Sequence, residues 1–108
     1  MNTEKLESKA TRLADLIAYQ EGSVVSRTII DKEKGTITLF AFDKGQGLSE
    51  HTAPYAAMVY VIEGMVDVYI ASKPNPVKQD EMIIMPANKP HALMAMSKFK
   101  MLLVMIRS

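Results

Sequence analysis

An all-β fold, an antiparallel sandwich or barrel, is what this sequence predicts, and three observations predict it. From Val24 onward, seven or eight short apolar or β-branched runs recur at intervals of about ten residues. Gly or Pro punctuates the gaps between them. Helical periodicity is confined to the stretch before Gly22.

Each element follows from its residues in turn. Leu6, Ala10, Leu13 and Ile17 recur at helical spacing, with Glu4, Glu7, Lys9 and Arg12 among them. Residues 4 to 19 are therefore expected to form an amphipathic helical flap, and residues 1–23 are set apart from a barrel of residues 24–108. Val24 to Ile30 is β-branched and reads as a strand; Asp31-Lys32-Glu33-Lys34-Gly35 is a turn into a second strand, Thr36 to Phe42. Asp43 to Gly47 breaks the chain again. Ala57 to Ile62 and Met65 to Ala71 are joined at Glu63-Gly64, which reads as a hairpin. Pro74-Asn75-Pro76 predicts a bend, because neither proline can donate to a ladder. Glu81 to Met85, His91 to Met96 and Phe99 to Ile106 complete the set. The last run is apolar at every position but Lys100, so both of its faces need cover. One face is expected to line the barrel and the other to lie under the flap or in a homodimer interface.

Composition narrows the function classes. The 108 residues make one domain, and 48% hydrophobic residues are enough for one core. Thirteen basic and twelve acidic residues leave a net charge of +1, without the basic field that nucleic acid or an anionic membrane would require. No cysteine is present, which excludes disulfides, thiolate metal sites and cysteine nucleophiles and fits a cytoplasmic protein. The first residues are polar and mixed in charge, unlike a signal peptide, and no apolar run reaches the roughly 18–20 residues of a membrane span. Nine Met against three Phe and no Trp suit an adaptable interior. Gly45-Gln46-Gly47 is too short for a phosphate loop, Ser49 and Ser72 lack triad partners, and Asp67 reads as a solvent-facing charge.

The chemistry-bearing residues are two histidines, His51 and His91, forty positions apart. Their setting gives them meaning. Gly45-Gln46-Gly47-Leu48-Ser49-Glu50-His51 through Glu63-Gly64 resembles the first motif of the cupin family, G-x5-H-x-H-x3,4-E-x6-G. Asp80 to Ala95 resembles the second, G-x5-P-x-G-x2-H-x3-N, with Pro86 and His91 in register and residues 65–79 between the motifs. The resemblance covers about residues 24–106 and implies a double-stranded β-helix, the jelly-roll-like cupin barrel, with a metal site of three histidines and a carboxylate. His51 and His91 fall on two of those four positions. The other two are Ala53 and Ala57, while Asp80, Asn88 and Ala95 stand where the motifs have Gly, Gly and Asn.

A catalytic metal needs about three protein ligands and an open position. Two imidazoles with waters would hold a divalent transition metal (Zn, Ni, Fe, Mn or Cu) weakly. No cofactor is therefore certain from the sequence, and the expected site is a pocket for a small, partly apolar molecule. His51 and His91 form its polar floor, and Ala53, Ala57, Val59, Val61 and Leu93 form its walls. A metal-dependent enzyme of dioxygenase, isomerase or lyase type, recruiting one further ligand, is the alternative from another class. A structural dimer with a relict site is the third.

Overall fold

Nine strands carry most of the backbone in the computed structural model, which describes residues 3–107. They are β1 (Val24–Lys32), β2 (Gly35–Phe42), β3 (Gly47–His51), β4 (Ala57–Glu63), β5 (Met65–Ile70), β6 (Lys73–Lys78), β7 (Met82–Met85), β8 (His91–Ala95) and β9 (Phe99–Ile106). β1-β2-β9-β4-β7 form one antiparallel sheet and β3-β8-β5-β6 a second. Alternation along the strands decides what lies between them. Ala57, Val59 and Val61 of β4, Val66 and Val68 of β5, Leu93 and Ala95 of β8, and Phe99 and Met101 of β9 point inward and are buried in one core. Phe42 and Phe99, opposed in register, stack with ring centroids 4.5 Å apart at its closed end.

Three sequence expectations are corrected. Glu63-Gly64 is not a hairpin: β4 and β5 belong to different sheets, and the chain turns a corner there. A single residue separates the two strands, too few for a two-residue hairpin loop, and Gly64 makes the corner at φ +81. A Cβ on Gly64 would lie 2.1 Å from the Lys98 carbonyl oxygen, so the close passage of β9 excludes any side chain. Pro74 and Pro76 do not break the chain but sit in β6, an edge strand. Spaced two apart, both face their missing donors to the same side, and an edge leaves one side unpaired.

The third correction concerns the flap. Residues 4–19 form only two short 3-10 turns, Thr3–Leu6 and Leu13–Leu16, in an otherwise extended strap. Ser8 takes a left-handed φ of +61, Arg12 provides no side-chain cap, and Ile17 is extended. Tertiary contacts override the helical pattern. Ile17 is buried with Leu39 and Ala41 on the outer face of the five-stranded sheet, and Leu13, Leu16, Tyr19 and Leu102 pack around them. Carbonyls that a helix would pair internally are taken by cations instead. Lys100 Nζ donates to Ala14 O at 2.7 Å and Arg27 Nη1 to Leu16 O at 2.7 Å. Tyr19 latches the strap by donating its hydroxyl to Glu63 Oε2 at 2.6 Å, with Lys100 beneath its ring. Burial, then the Glu63 carboxylate, pushes the Tyr19 phenol well above its usual range. Among the described residues, no helix is long and apolar enough to cross a membrane.

Candidate functional site

The two histidines meet at the open end of the sandwich, opposite the stacked phenylalanines. β3 would carry His51 past β8 were it regular, but its register shifts between Leu48 and His51, which sets His51 directly opposite His91. The loops behind each ring are tied together: Asn88 N–H donates to Ala53 O at 2.7 Å, and Ala71 N–H to Pro90 O at 2.8 Å. Asn88 has φ +64 and Asp80 φ +68, beside Gly45 at +82 and Gly64 at +81. The two motif positions that lack glycine therefore keep the left-handed backbone, through the residue types that tolerate it best.

Geometry fixes how the rings are held. His51 Nδ1 lies 2.9 Å from Ser49 O and His91 Nδ1 lies 3.2 Å from Lys89 O, in each case the carbonyl two residues back. The two Nε2 atoms lie 3.1 Å apart, with ring centroids at 4.3 Å and planes at 74°. A carbonyl oxygen can only accept, so each Nδ1 contact needs a proton on its ring nitrogen. The Nε2–Nε2 contact needs a third. Two neutral imidazoles carry two protons between them, so the pair is one donor short. A shared proton, a donor group on a ligand, or a cation would complete it. His91 is 4% exposed. Burial, and then the neighbouring His51, hold its imidazolium below the ordinary range, against a smaller opposing effect of the Lys89 carbonyl.

Whether the family's metal fits can be judged from these atoms. Two nitrogens at about 2.0–2.1 Å from one zinc ion stand roughly 2.9 Å apart at a right angle and about 3.4 Å apart at a tetrahedral one. The observed spacing suits two adjacent ligand positions. The family's other two ligand positions are Ala53 and Ala57, and among the described residues no group of three or more His, Cys, Asp or Glu side chains is placed to hold a metal. The four-ligand set of a catalytic centre therefore does not fit this chain, and no reaction step is assigned through it.

The remaining sequence-predicted positions are spread along the barrel. Ala57 begins β4 at the histidine end; Val59 and Leu93 lie one row deeper, and Val61 lies about 13 Å beyond Ala57 in the packed core. Ala53 is partly exposed in the loop after β3. Sequence reasoning missed Ser49 and Lys89, which orient the rings through their carbonyls, and Ile70, which pairs with His91 across β5 and β8. Alternation from Val66 and Val68 would have found Ile70. The carbonyls leave no signal in residue type.

Comparison with known proteins agrees with this architecture. The family profile of the cupin domain matches residues 38–107. A conserved protein of unknown function from Streptococcus pyogenes is 33% identical, with a TM-score of 0.90 over 94% of this chain and 90% of its own. A cupin 2 conserved barrel domain protein from Leptotrichia buccalis is 39% identical, with a TM-score of 0.82; the match spans 86% of this chain and 45% of that one. A cupin superfamily protein from Desulfitobacterium hafniense shares the fold at 24% identity, with a TM-score of 0.89 over 94% of each chain. No functionally curated protein matches.

Proposed function

This chain belongs to the cupin family, and from that premise we propose that it is a small-molecule-binding cupin whose polar anchor is the His51–His91 pair. The observation that carries the reading is the donor deficit: three contacts that need protons, and two neutral rings to supply them. A ligand hydroxyl or N–H group set across both Nε2 atoms removes the deficit. Ile70, partly buried and opposite His91, then offers apolar surface to the rest of the molecule, with the buried Ala57 and Leu93 behind it, which is how a few polar groups orient a ligand in an apolar site. Val59 and Val61 form the packed floor behind them.

The Nε2–Nε2 spacing favours a second occupant, a divalent transition metal held by two imidazoles and solvent. Such an ion would bind weakly and exchange freely.

A thermal-shift screen of small metabolites against the wild type, His51→Ala and His91→Ala tests the proposal. A ligand at one hundred times its dissociation constant adds about 2.7 kcal/mol, a rise of roughly 10–20 °C for a chain of this length. The rise should vanish in both variants. A ligand that stabilises all three proteins equally would place binding elsewhere and refute the reading.

A further inference from the structure

Four strand ends converge beside the histidine pair. His51 closes β3, Ala57 opens β4, Met85 closes β7 and His91 opens β8. The loops that join them, residues 52–56 and 86–90, are tied by the bond from Asn88 N–H to Ala53 O. In the five-stranded sheet Ala57 pairs with Met85 of β7 on one side and with Met105 of β9 on the other. Opposed residues share a face, so both thioethers flank Ala57 on the inward side of that sheet. Met85 is 4% exposed, and Met105 packs against the same core. One row deeper the same three strands carry Ile83, Val59 and Leu103. Aliphatic side chains give way to sulfur on both flanks, in the row level with the imidazoles. Met94 and Met96, by contrast, are 44% and 41% exposed and turn outward.

We infer that this end of the sandwich is a soft-metal site selective for Cu(I), in which Met85 and Met105 supply thioether sulfur to an ion held by the Nε2 atoms of His51 and His91. Resting on the histidine pair as binding anchor, this assignment places a soft monovalent ion where a divalent one is held weakly. Donor type selects it. Thioethers favour soft cations, whereas imidazole serves Cu, Zn, Fe and Ni alike. Charge points the same way. Among the described residues no acidic side chain completes the pair, and two neutral rings and two thioethers carry no charge. A monovalent ion therefore brings one uncompensated charge beside the buried His91 and Met85, where a divalent ion would bring two. The 3.1 Å between the Nε2 atoms suits two adjacent corners of a tetrahedron, and Cu(I), with a closed d shell, demands no other geometry. Facing sheets stand about 10 Å apart, a gap that an imidazole from one side and a thioether from the other cross together. The ion takes both Nε2 lone pairs at once, so the donor deficit is met without a third proton.

Anaerobic Cu(I) titration in competition with a chromophoric Cu(I) chelator tests the inference, with Zn²⁺ titrated in parallel. The wild type should bind one Cu(I) per chain. Met85→Leu and Met105→Leu conserve volume and should keep the fold, as judged by circular dichroism. Each should weaken Cu(I) at least ~10-fold, the lower end of what even an outer-shell partner contributes, and leave Zn²⁺ binding unchanged. Methionine ¹³C-methyl NMR with Ag(I), a redox-inert substitute for Cu(I), gives a second readout. The Met85 and Met105 methyls should shift while those of Met94 and Met96 stay in place. A wild type that loses Cu(I) to the chelator no less readily than both methionine variants overturns the inference, as do unmoved Met85 and Met105 methyls; either result leaves the histidine anchor standing. His51→Ala should also lose Cu(I). Full Cu(I) affinity in that variant would overturn the anchor itself, and the metal site with it.

Discussion

Replacing Gly64 with alanine should be the most damaging single-methyl change in the corner glycines, and the structure gives its magnitude in two parts. The first is backbone strain. At φ +81 an L-residue costs about 1–2 kcal/mol. The second is collision: the new Cβ would stand 2.1 Å from the carbonyl oxygen of Lys98, the residue before β9, and 2.6 Å from Cβ of Phe99, the first residue of that strand, which is held between two neighbours. Forcing β9 outward adds about 1–3 kcal/mol of overpacking, for a total of roughly 2–5 kcal/mol. Gly22 and Gly45 provide controls. They have φ of +66 and +82, but a Cβ on either meets nothing within 4 Å, so alanine there should cost only the strain. Urea unfolding measures the difference. With a slope of about 1.5 kcal/mol/M, Gly64→Ala should lower the midpoint by roughly 1.3–3.3 M, and each control by about 0.7–1.3 M. Equal losses at all three positions would show that the β4–β5 corner is not pressed against β9, and the corner argument would be wrong.

Other outcomes follow from the same structure. Lys100→Met removes the cation that binds the Ala14 carbonyl and faces Glu63, and should cost about 1.5–3 kcal/mol while raising protease cleavage in the strap; an unchanged cleavage rate would mean the strap is held by its apolar contacts alone. His91 is held below its ordinary range in the fold, so the unfolded chain takes up its proton first as pH falls. Stability from this group is complete above about pH 6.5 and is lost as pH falls through that value toward the folded one, and His91→Gln should flatten that slope. An identical pH profile in the variant would deny that burial controls the group. Ala53→His restores a third imidazole at the family's ligand position and should tighten zinc binding by ~100-fold or more in competition with a chromophoric chelator. No gain would show that position 53 does not face the pair.

Much of this architecture is legible in the residues themselves. The last strand, Phe99–Ile106, and the start of β4 at Ala57 coincide with the ends of their apolar runs, the last run being broken only by Lys100. The pairing of His51 with His91 came from motif spacing anchored on Gly45, Gly64 and Pro86, which records where the backbone must turn. What escaped is non-local. Glu63-Gly64 looks the same locally whether the chain folds back or crosses to another sheet, and only the passage of Lys98-Phe99 decides. The helical spacing of Leu6, Ala10, Leu13 and Ile17 is real, but Arg27 and Lys100 compete for the carbonyls a helix needs. The bulge in β3 has no signature in Ser49-Glu50, yet it sets the facing of the two rings.

The arrangement of four ring nitrogens carries the proposed function, and long-range imidazole ¹⁵N NMR observes all four directly. With zinc added as a probe ion, both Nε2 resonances should shift together while both Nδ1 nitrogens keep their protons on the Ser49 and Lys89 carbonyls. A response from only one ring, or loss of either Nδ1 proton, would contradict a shared anchor and leave two unrelated histidines.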